Sequence, residues 1–266
     1  GYNLDFTIDS KDSKLNDFFT ALPPQYVTWL DKTKVKGRTD ISLTLKGKYL
    51  ASTNSKPDLA FNMKIREGKI DYKEAPFPVT NLFLNFDTKL PSLDTEQLKV
   101  NLDSIFFNVG TDYFKAIVKT TGLKKPVVDA TIKASLDLQK MDRAFGFENM
   151  DLKGSLKMDV TSKGKYDKTN KTFPVTKGDI SLKNTTIKTE YYPRPIENIN
   201  LIAKISNANG ALKDLKVAID PASFVFEGKP FHLNASFQNF EDIAYNIKAK
   251  GEIDVAKIYK VFSRKG

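Results

Sequence analysis

His232 is the single histidine of a 266-residue chain that has no cysteine. Together these two facts close the thiol routes to catalysis and leave one imidazole to consider. A thiolate nucleophile, a disulfide and a Cys-based metal centre are all excluded. His232 lies between Phe231 and Leu233 in an alternating run, so it reads as a surface residue on the wet side of a strand. HExxH, GxSxG, GxGxxG and Walker A patterns are absent. Asp9-Ser10-Lys11-Asp12 comes nearest to a calcium loop, but the glycine and the closing glutamate are missing; helix capping is the expected role. The chain has 32 Asp and Glu residues, and none stands inside an apolar stretch that would raise its pKa. Asn170-Lys171-Thr172, Asn184-Thr185-Thr186 and Asn234-Ala235-Ser236 are glycosylation sequons, relevant only in a eukaryotic secretory setting. The expectation is a protein that is not an enzyme, with no cofactor and no metal.

Apolar alternation is what remains to carry a function. Leu82, Leu84 and Phe86 alternate with polar residues, as do Leu98, Val100 and Leu102, and Phe61, Met63 and Ile65. In the second half Ile199, Leu201, Ala203 and Ile205 repeat the pattern, followed by Leu215, Val217 and Ile219. A period of two marks strands with one apolar and one wet face. Glu67-Gly68, Gly122, Asn209-Gly210 and Glu227-Gly228 read as turns between them. The candidate ligand-facing set is Leu82, Leu84, Phe86, Leu98, Val100 and Leu102, continued by Leu201, Ile205, Leu215, Val217 and Ile219.

The chain also matches itself at an offset of 117. Lys46-Gly47-Lys48-Tyr49 recurs as Lys163-Gly164-Lys165-Tyr166. Pro76, Pro78, Asn81 and Leu84 recur as Pro193, Pro195, Asn198 and Leu201. Leu98-Lys99-Val100 and Asp103 recur as Leu215-Lys216-Val217 and Asp220, and Asp137, Lys140 and Phe145 as Asp254, Lys257 and Phe262. One register for four separated clusters is the signature of a tandem repeat. The expected organisation is a tail of a preceding unit at 1–34, unit one at 35–151 and unit two at 152–266, forming one continuous elongated domain. Asp137 and Asp254 precede helical spacing and should cap a short helix closing each unit. Asp103 and Asp220 are expected at turns or caps. A further helix is expected over Ser13 to Asp31, interrupted at Pro23-Pro24. The Pro-x-Pro segments at 76–78 and 193–195 read as rigid links between strands, since proline suits strand starts and not sheet interiors.

Net charge is +10, but only five of the 42 basic residues are Arg. Lysines alternate with apolar residues, as in Met63-Lys64-Ile65, and acidic residues are interspersed. Arg-led base readout needs the opposite pattern, so the lysines read as a solvated face and nucleic acid is not an expected partner. No apolar run approaches the roughly 18 to 20 residues that span a bilayer, and no signal peptide is seen. Gly1 falls within the alternating pattern of Leu4, Phe6 and Ile8, which reads as a fragment of a longer protein.

Several of these segments resemble the AsmA family of Gram-negative envelope proteins. Phe173-Pro174-Val175-Thr176-Lys177-Gly178-Asp179-Ile180-Ser181-Leu182-Lys183-Asn184 is similar to the family's repeated strand. Tyr192-Pro193-Arg194-Pro195-Ile196-Glu197-Asn198-Ile199 is similar to its P-x-P-I-x-N-I strand. Val225 to Phe231 and Gly251 to Lys257 extend the similarity over most of 35–262, and the Lys- and Asn-rich style resembles a Bacteroidetes-type source. The resemblance implies a mainly β protein with a few short helices, folded as an elongated curled antiparallel sheet. It implies a periplasmic protein of outer-membrane biogenesis, anchored in the inner membrane by an N-terminal helix absent from this chain. Its implied partners are phospholipid or other acyl-chain lipids, carried on an apolar concave face, and envelope proteins. The alternative is an assembly scaffold for outer-membrane proteins with a closed, dry core. The sequence leaves open whether the apolar face is trough or core.

Overall fold

A computed structural model describes residues 1–23, 28–145 and 149–262. Thirteen strands form one antiparallel sheet in which spatial order equals chain order. They are β1 (Tyr2–Lys14), β2 (Thr33–Tyr49), β3 (Asp58–Tyr72), β4 (Val79–Leu90), β5 (Lys99–Val109), β6 (Asp112–Thr121) and β7 (Val127–Asp137). The second half continues with β8 (Met150–Lys165), β9 (Val175–Thr189), β10 (Ile196–Asn207), β11 (Lys216–Phe226), β12 (Lys229–Gln238) and β13 (Ala244–Gly251). Three helices, α1 (Leu15–Thr20), α2 (Leu138–Phe145) and α3 (Val255–Phe262), follow β1, β7 and β13. Odd strands run the same way, so all three helices stand at one rim of the sheet. The opposite rim carries loops and short 3-10 turns.

The sheet is open: β1 and β13 are its free edges and do not pair. Twelve inter-strand steps of about 4.8 Å make it roughly 58 Å long across the strands. It is also curled. α2 touches β3, β4, β5, β7 and β8. On a flat sheet β3 and β8 would be about 24 Å apart, whereas eight helical residues span about 12 Å. One short helix reaches both only because the sheet wraps round it. The exposed surface is 16418 Å², against about 11,700 Å² for a compact monomer of this mass. The difference is what a single curled layer leaves exposed.

The elements recur with the spacing seen in the sequence. Thr33 and Met150 open β2 and β8, Val79 and Ile196 open β4 and β10, and Leu138 and Val255 open α2 and α3; each pair is 117 residues apart. Backbone specials recur with them. Asn81 (φ 52°) and Asn198 (φ 51°) are left-handed bulge residues in β4 and β10. Gly37 (φ 123°) on β2 and Gly154 (φ 94°) on β8 stand opposite bulges in β3 and β9. A Cβ on Gly154 would lie 2.6 Å from the Thr185 Cα, and one on Gly37 2.8 Å from the Gly68 Cα, so neither site admits a side chain without moving backbone.

Asp137 and Asp254 do cap their helices. Asp137 Oδ1 accepts the backbone N–H groups of Gln139 and Lys140, and Asp254 Oδ1 that of Lys257. Replacing either by Ala should cost about 0.5–2 kcal/mol, more at the half-buried Asp137 than at the exposed Asp254. Chemical denaturation of the two single variants checks the order. The Pro-x-Pro segments lie in the links from β3 to β4 and from β9 to β10, as expected.

Other expectations are corrected. The helix expected over Ser13 to Asp31 is a six-residue α1 followed by a 3-10 turn at Thr28–Lys32. Pro23 already lies beyond α1, and Pro24 is outside the described residues. Asp9 to Asp12 belong to β1 and cap nothing; α1 starts after Lys14, which makes no side-chain cap. Asp12 has φ 48° and joins an ionic cluster instead: its carboxylate meets Arg66, and its N–H donates to Asp40. Arg66 also donates to both Asp40 oxygens and holds that carboxyl far below the usual carboxylate range. Glu67-Gly68 is a bulge inside β3, not a turn. Asp103 and Asp220 are not at turns or caps. Each sits at a register shift within β5 or β11, where the extra residue of a bulge re-aims the chain.

Candidate functional site

Cross-strand partners lie on the same face of a sheet, so the registers show which side chains share a surface. One row runs Ile65, Leu84, Ile105, Ala116, Ile132 and Val160 across β3 to β8. It continues through Gly178, Ile205, Val217, Phe237 and Tyr245 to β13. Neighbouring rows are also apolar. Met63, Phe86, Leu102 and Val118 form one; Met158, Ile180, Ala203, Ile219 and Ala235 form another. Leu156, Leu182, Leu201, Ala222 and Leu233 form a third. Bulges keep this going. At Asn81 the extra residue restores the inward parity, so Val79, Leu82 and Leu84 all face in. The result is one largely apolar face over the sheet, with uncharged polar residues such as Thr88, Thr120, Ser162, Thr176 and Asn207 toward the helix-free rim. Among its register-paired residues only Asp112 and Lys229 are charged; they open β6 and β12 at the helix rim.

Nine of the eleven candidate residues lie on this face within strands: Leu82, Leu84 and Phe86 on β4, Val100 and Leu102 on β5, Leu201 and Ile205 on β10, and Val217 and Ile219 on β11. Leu98 and Leu215 do not. Each ends a 3-10 turn just before its strand, because β5 and β11 begin at Lys99 and Lys216. Leu215 is buried and Leu98 half-buried in that connection.

The helices divide the face into two regions. Under α1 and α2 it is a packed core of Val35, Ile65, Val79, Leu82 and Phe107, with Leu15 from α1 and Leu138 and Ala144 from α2. Phe145 of α2 meets Phe107 edge-on at 5.2 Å. Leu84 packs against the edge of this core. A smaller cluster of Ile196, Phe226 and Val261 sits under α3, where Thr189 Oγ1 donates to the Val261 carbonyl. Phe86, Val100, Leu102, Leu201, Ile205, Val217 and Ile219 belong to neither buried cluster and are only half-buried. Helix cover, which the alternation could not show, is what separates them from Leu82.

Polar chemistry lies on the other side. His232 is exposed on the polar face, opposite Ser223 and Lys250. A cavity of about 430 Å³ there is lined by Lys133, Lys157, Asp159 and Asp179; Lys133 and Asp159 pair at 3.0 Å. Near α3, Tyr192 donates to Glu227 at 2.6 Å and Lys257 to the same carboxylate at 2.8 Å. Lys257 first, then Tyr192, lowers the Glu227 pKa; Glu227 in turn raises both of theirs. A raised Tyr or Lys is a poorer nucleophile, so this trio ties α3 to the turn between β11 and β12. No group of three or more His, Asp or Glu residues among those described could hold a metal. No described helix is long and apolar enough to cross a membrane.

Asp142, on α2, is the titrating group that helix packing disturbs. It is 9% exposed, its Oδ2 accepts the Leu152 N–H, and its Oδ1 has no partner. Burial raises its pKa, with Asp151 adding and Arg143 opposing. A raised carboxyl pKa means that ionisation opposes folding. That destabilisation is present at neutral pH and is relieved as pH falls through the folded-state pKa. Asp142→Asn should therefore raise the melting temperature at pH 7 and bring little change at acid pH. Thermal unfolding at the two pH values checks it.

No curated protein matches the chain. No solved structure matches it either. The family pattern of the TamB C-terminal domain does match, over residues 14–254. That span takes in all of β2 to β13 and α2, so it covers the whole apolar face beyond β1. The family is part of the wider TamB and AsmA-like group, and is linked to outer-membrane biogenesis in Gram-negative envelopes. With an open antiparallel β-sheet and a family match over most of its length, this chain belongs to the TamB C-terminal domain family.

Proposed function

We propose that the chain is a periplasmic, non-enzymatic module that binds acyl chains along the uncovered part of its apolar face and conducts them across the strands. The single observation that carries this is the row from Ile65 to Tyr245, apolar but for the Gly178 backbone and uncharged throughout. A compact domain would bury such a face against a second layer; here helices cover only part of it. Units 35–151 and 152–266 would act as two lengths of one trough. The lining we assign is Phe86, Val100, Leu102, Leu201, Ile205, Val217 and Ile219, with Leu82 and Leu84 walling its covered end. In the full protein the module would be held at the inner membrane and work with envelope partners in outer-membrane biogenesis. Native mass spectrometry with lipid extraction tests the proposal. Phospholipid or fatty acid should accompany the gently purified chain. A ligand-free chain that also takes up no fluorescent fatty acid would overturn it.

The packed region under α1 and α2 favours a second reading, an assembly scaffold whose apolar face is a dry core. In that case the polar face and the sheet edges would hold the function, and no lipid would bind in either assay.

A further inference from the structure

The two rims of the sheet differ in charge. Each rim is taken as the connections between strands there, the three residues of every strand nearest to it and, at the helix rim, the segment after β13. The helix-free rim then carries 14 Lys against 8 Asp and Glu, a net of +6, while the described part of the helix rim carries 12 Lys and Arg against 14 Asp and Glu. The excess is placed in pairs. Lys89 and Lys99 stand directly opposite each other on β4 and β5. Like charges so placed, about 5 Å apart at Cβ, repel, and both are exposed with no ion pair to a described residue. In the second unit Lys177 and Lys216 flank Ser206 from either side, on β9 and β11. They too are exposed and outside the ion pairs of the sheet. Lys99 and Lys216 are 117 residues apart, so each unit presents a two-lysine station at the same rim. Each lysine alternates in its strand with a residue of the inner face, Thr88, Val100, Thr176 or Val217, so it projects from the polar side of the sheet and reaches round the rim by its long stem.

We propose that this rim holds the phosphate of anionic acyl lipids, Lys89 with Lys99 and Lys177 with Lys216 forming two successive headgroup stations beside the apolar face. The proposal rests on the lipid reading above and adds to it a ligand class and an orientation, headgroup toward the helix-free rim. Lysine suits the task as a point charge on a long apolar stem that can lie along the rim. A preference for anionic over zwitterionic lipid follows, and it should weaken with salt.

The test uses the full chain with phosphatidylcholine vesicles, with and without about one third phosphatidylglycerol. The wild type should bind the anionic vesicles at least tenfold more tightly at low salt. Reversing Lys89, Lys99, Lys177 and Lys216 to Glu should abolish that preference. Reversing Lys34, Lys73, Lys188 and Lys250 on the helix rim changes net charge equally and should leave most of it. Equal loss in both variants, or loss in neither, overturns the proposal, the first because net charge alone would then explain binding. Competition by inorganic phosphate at millimolar concentration would also overturn it, showing an anion site that ignores the lipid. Fluorescent fatty-acid uptake separates this from the parent reading. The rim variant should keep that uptake, whereas a wild type with the anionic preference but no uptake would sink the trough and spare the rim.

Discussion

Leu82→Asp is expected to unfold the chain. Leu82 is 8% exposed and lies in the core under α1 and α2, with Ile65, Val79 and Phe107. Its backbone neighbour across the strand is Gly68, whose absent Cβ lets Leu82 approach; a Cβ there would lie 2.8 Å from the Leu82 Cβ. A carboxylate in that place would be buried without a cation, at a cost of several kcal/mol. Total stabilities run at about 5–15 kcal/mol, and this single layer has only one large core to lose. Circular dichroism on heating should show no cooperative transition, or one shifted far down. A native melt for Leu82→Asp would mean that α1 and α2 do not hold the face shut.

Ile205→Asp should do the opposite, leaving the fold and removing the ligand. Ile205 is half-buried, between Gly178 and Val217 on the apolar face, and outside both packed clusters. No described helix covers it, so the new carboxylate can turn toward water and the loss of stability should stay within about 1–2 kcal/mol. On a surface meant for hydrocarbon the same charge must be desolvated by each acyl chain that passes, so uptake of a fluorescent fatty acid should fall at least tenfold. Melting temperature and uptake measured on one preparation decide the matter. If Ile205→Asp unfolds as Leu82→Asp does, the whole face is core and the scaffold reading gains.

The contrast between Leu82 and Ile205 shows where sequence reading stopped. Both belong to period-two runs, and alternation reports only that a side chain faces the apolar side. What stands above that side is set by residues far away in the chain. Leu138 and Ala144 come from a helix some sixty positions after Leu82, and nothing in the Leu82 neighbourhood encodes their arrival. Leu98 and Leu215 fall outside the strands for a local reason. They continue the alternation of Val100 and Val217, but a 3-10 turn ends at each of them, and the strand opens one residue later. Glu67-Gly68 was misjudged because a bulge and a turn ask for the same residues, a glycine and a neighbour that tolerates positive φ. Only the pairing on both sides tells them apart.

The sequence alone determined the strand content, the 117-residue period, the two helix caps and the absence of common catalytic motifs, since each of these is written in local residue types or in self-comparison. Alternation fixes facing because successive side chains of a strand point to opposite sides, and an aspartate before a helical run can cap it with no help from elsewhere. The tertiary structure decided what local pattern cannot hold. It joined the rows of thirteen strands into one apolar face through their registers, curled the sheet round α2, and put all three helices at one rim. It also set Lys89 against Lys99, and Lys177 beside Ser206 from Lys216, at the other rim. Registers are properties of pairs of strands, and the charge of a rim is a property of all of them, so both exist only once the chain has folded.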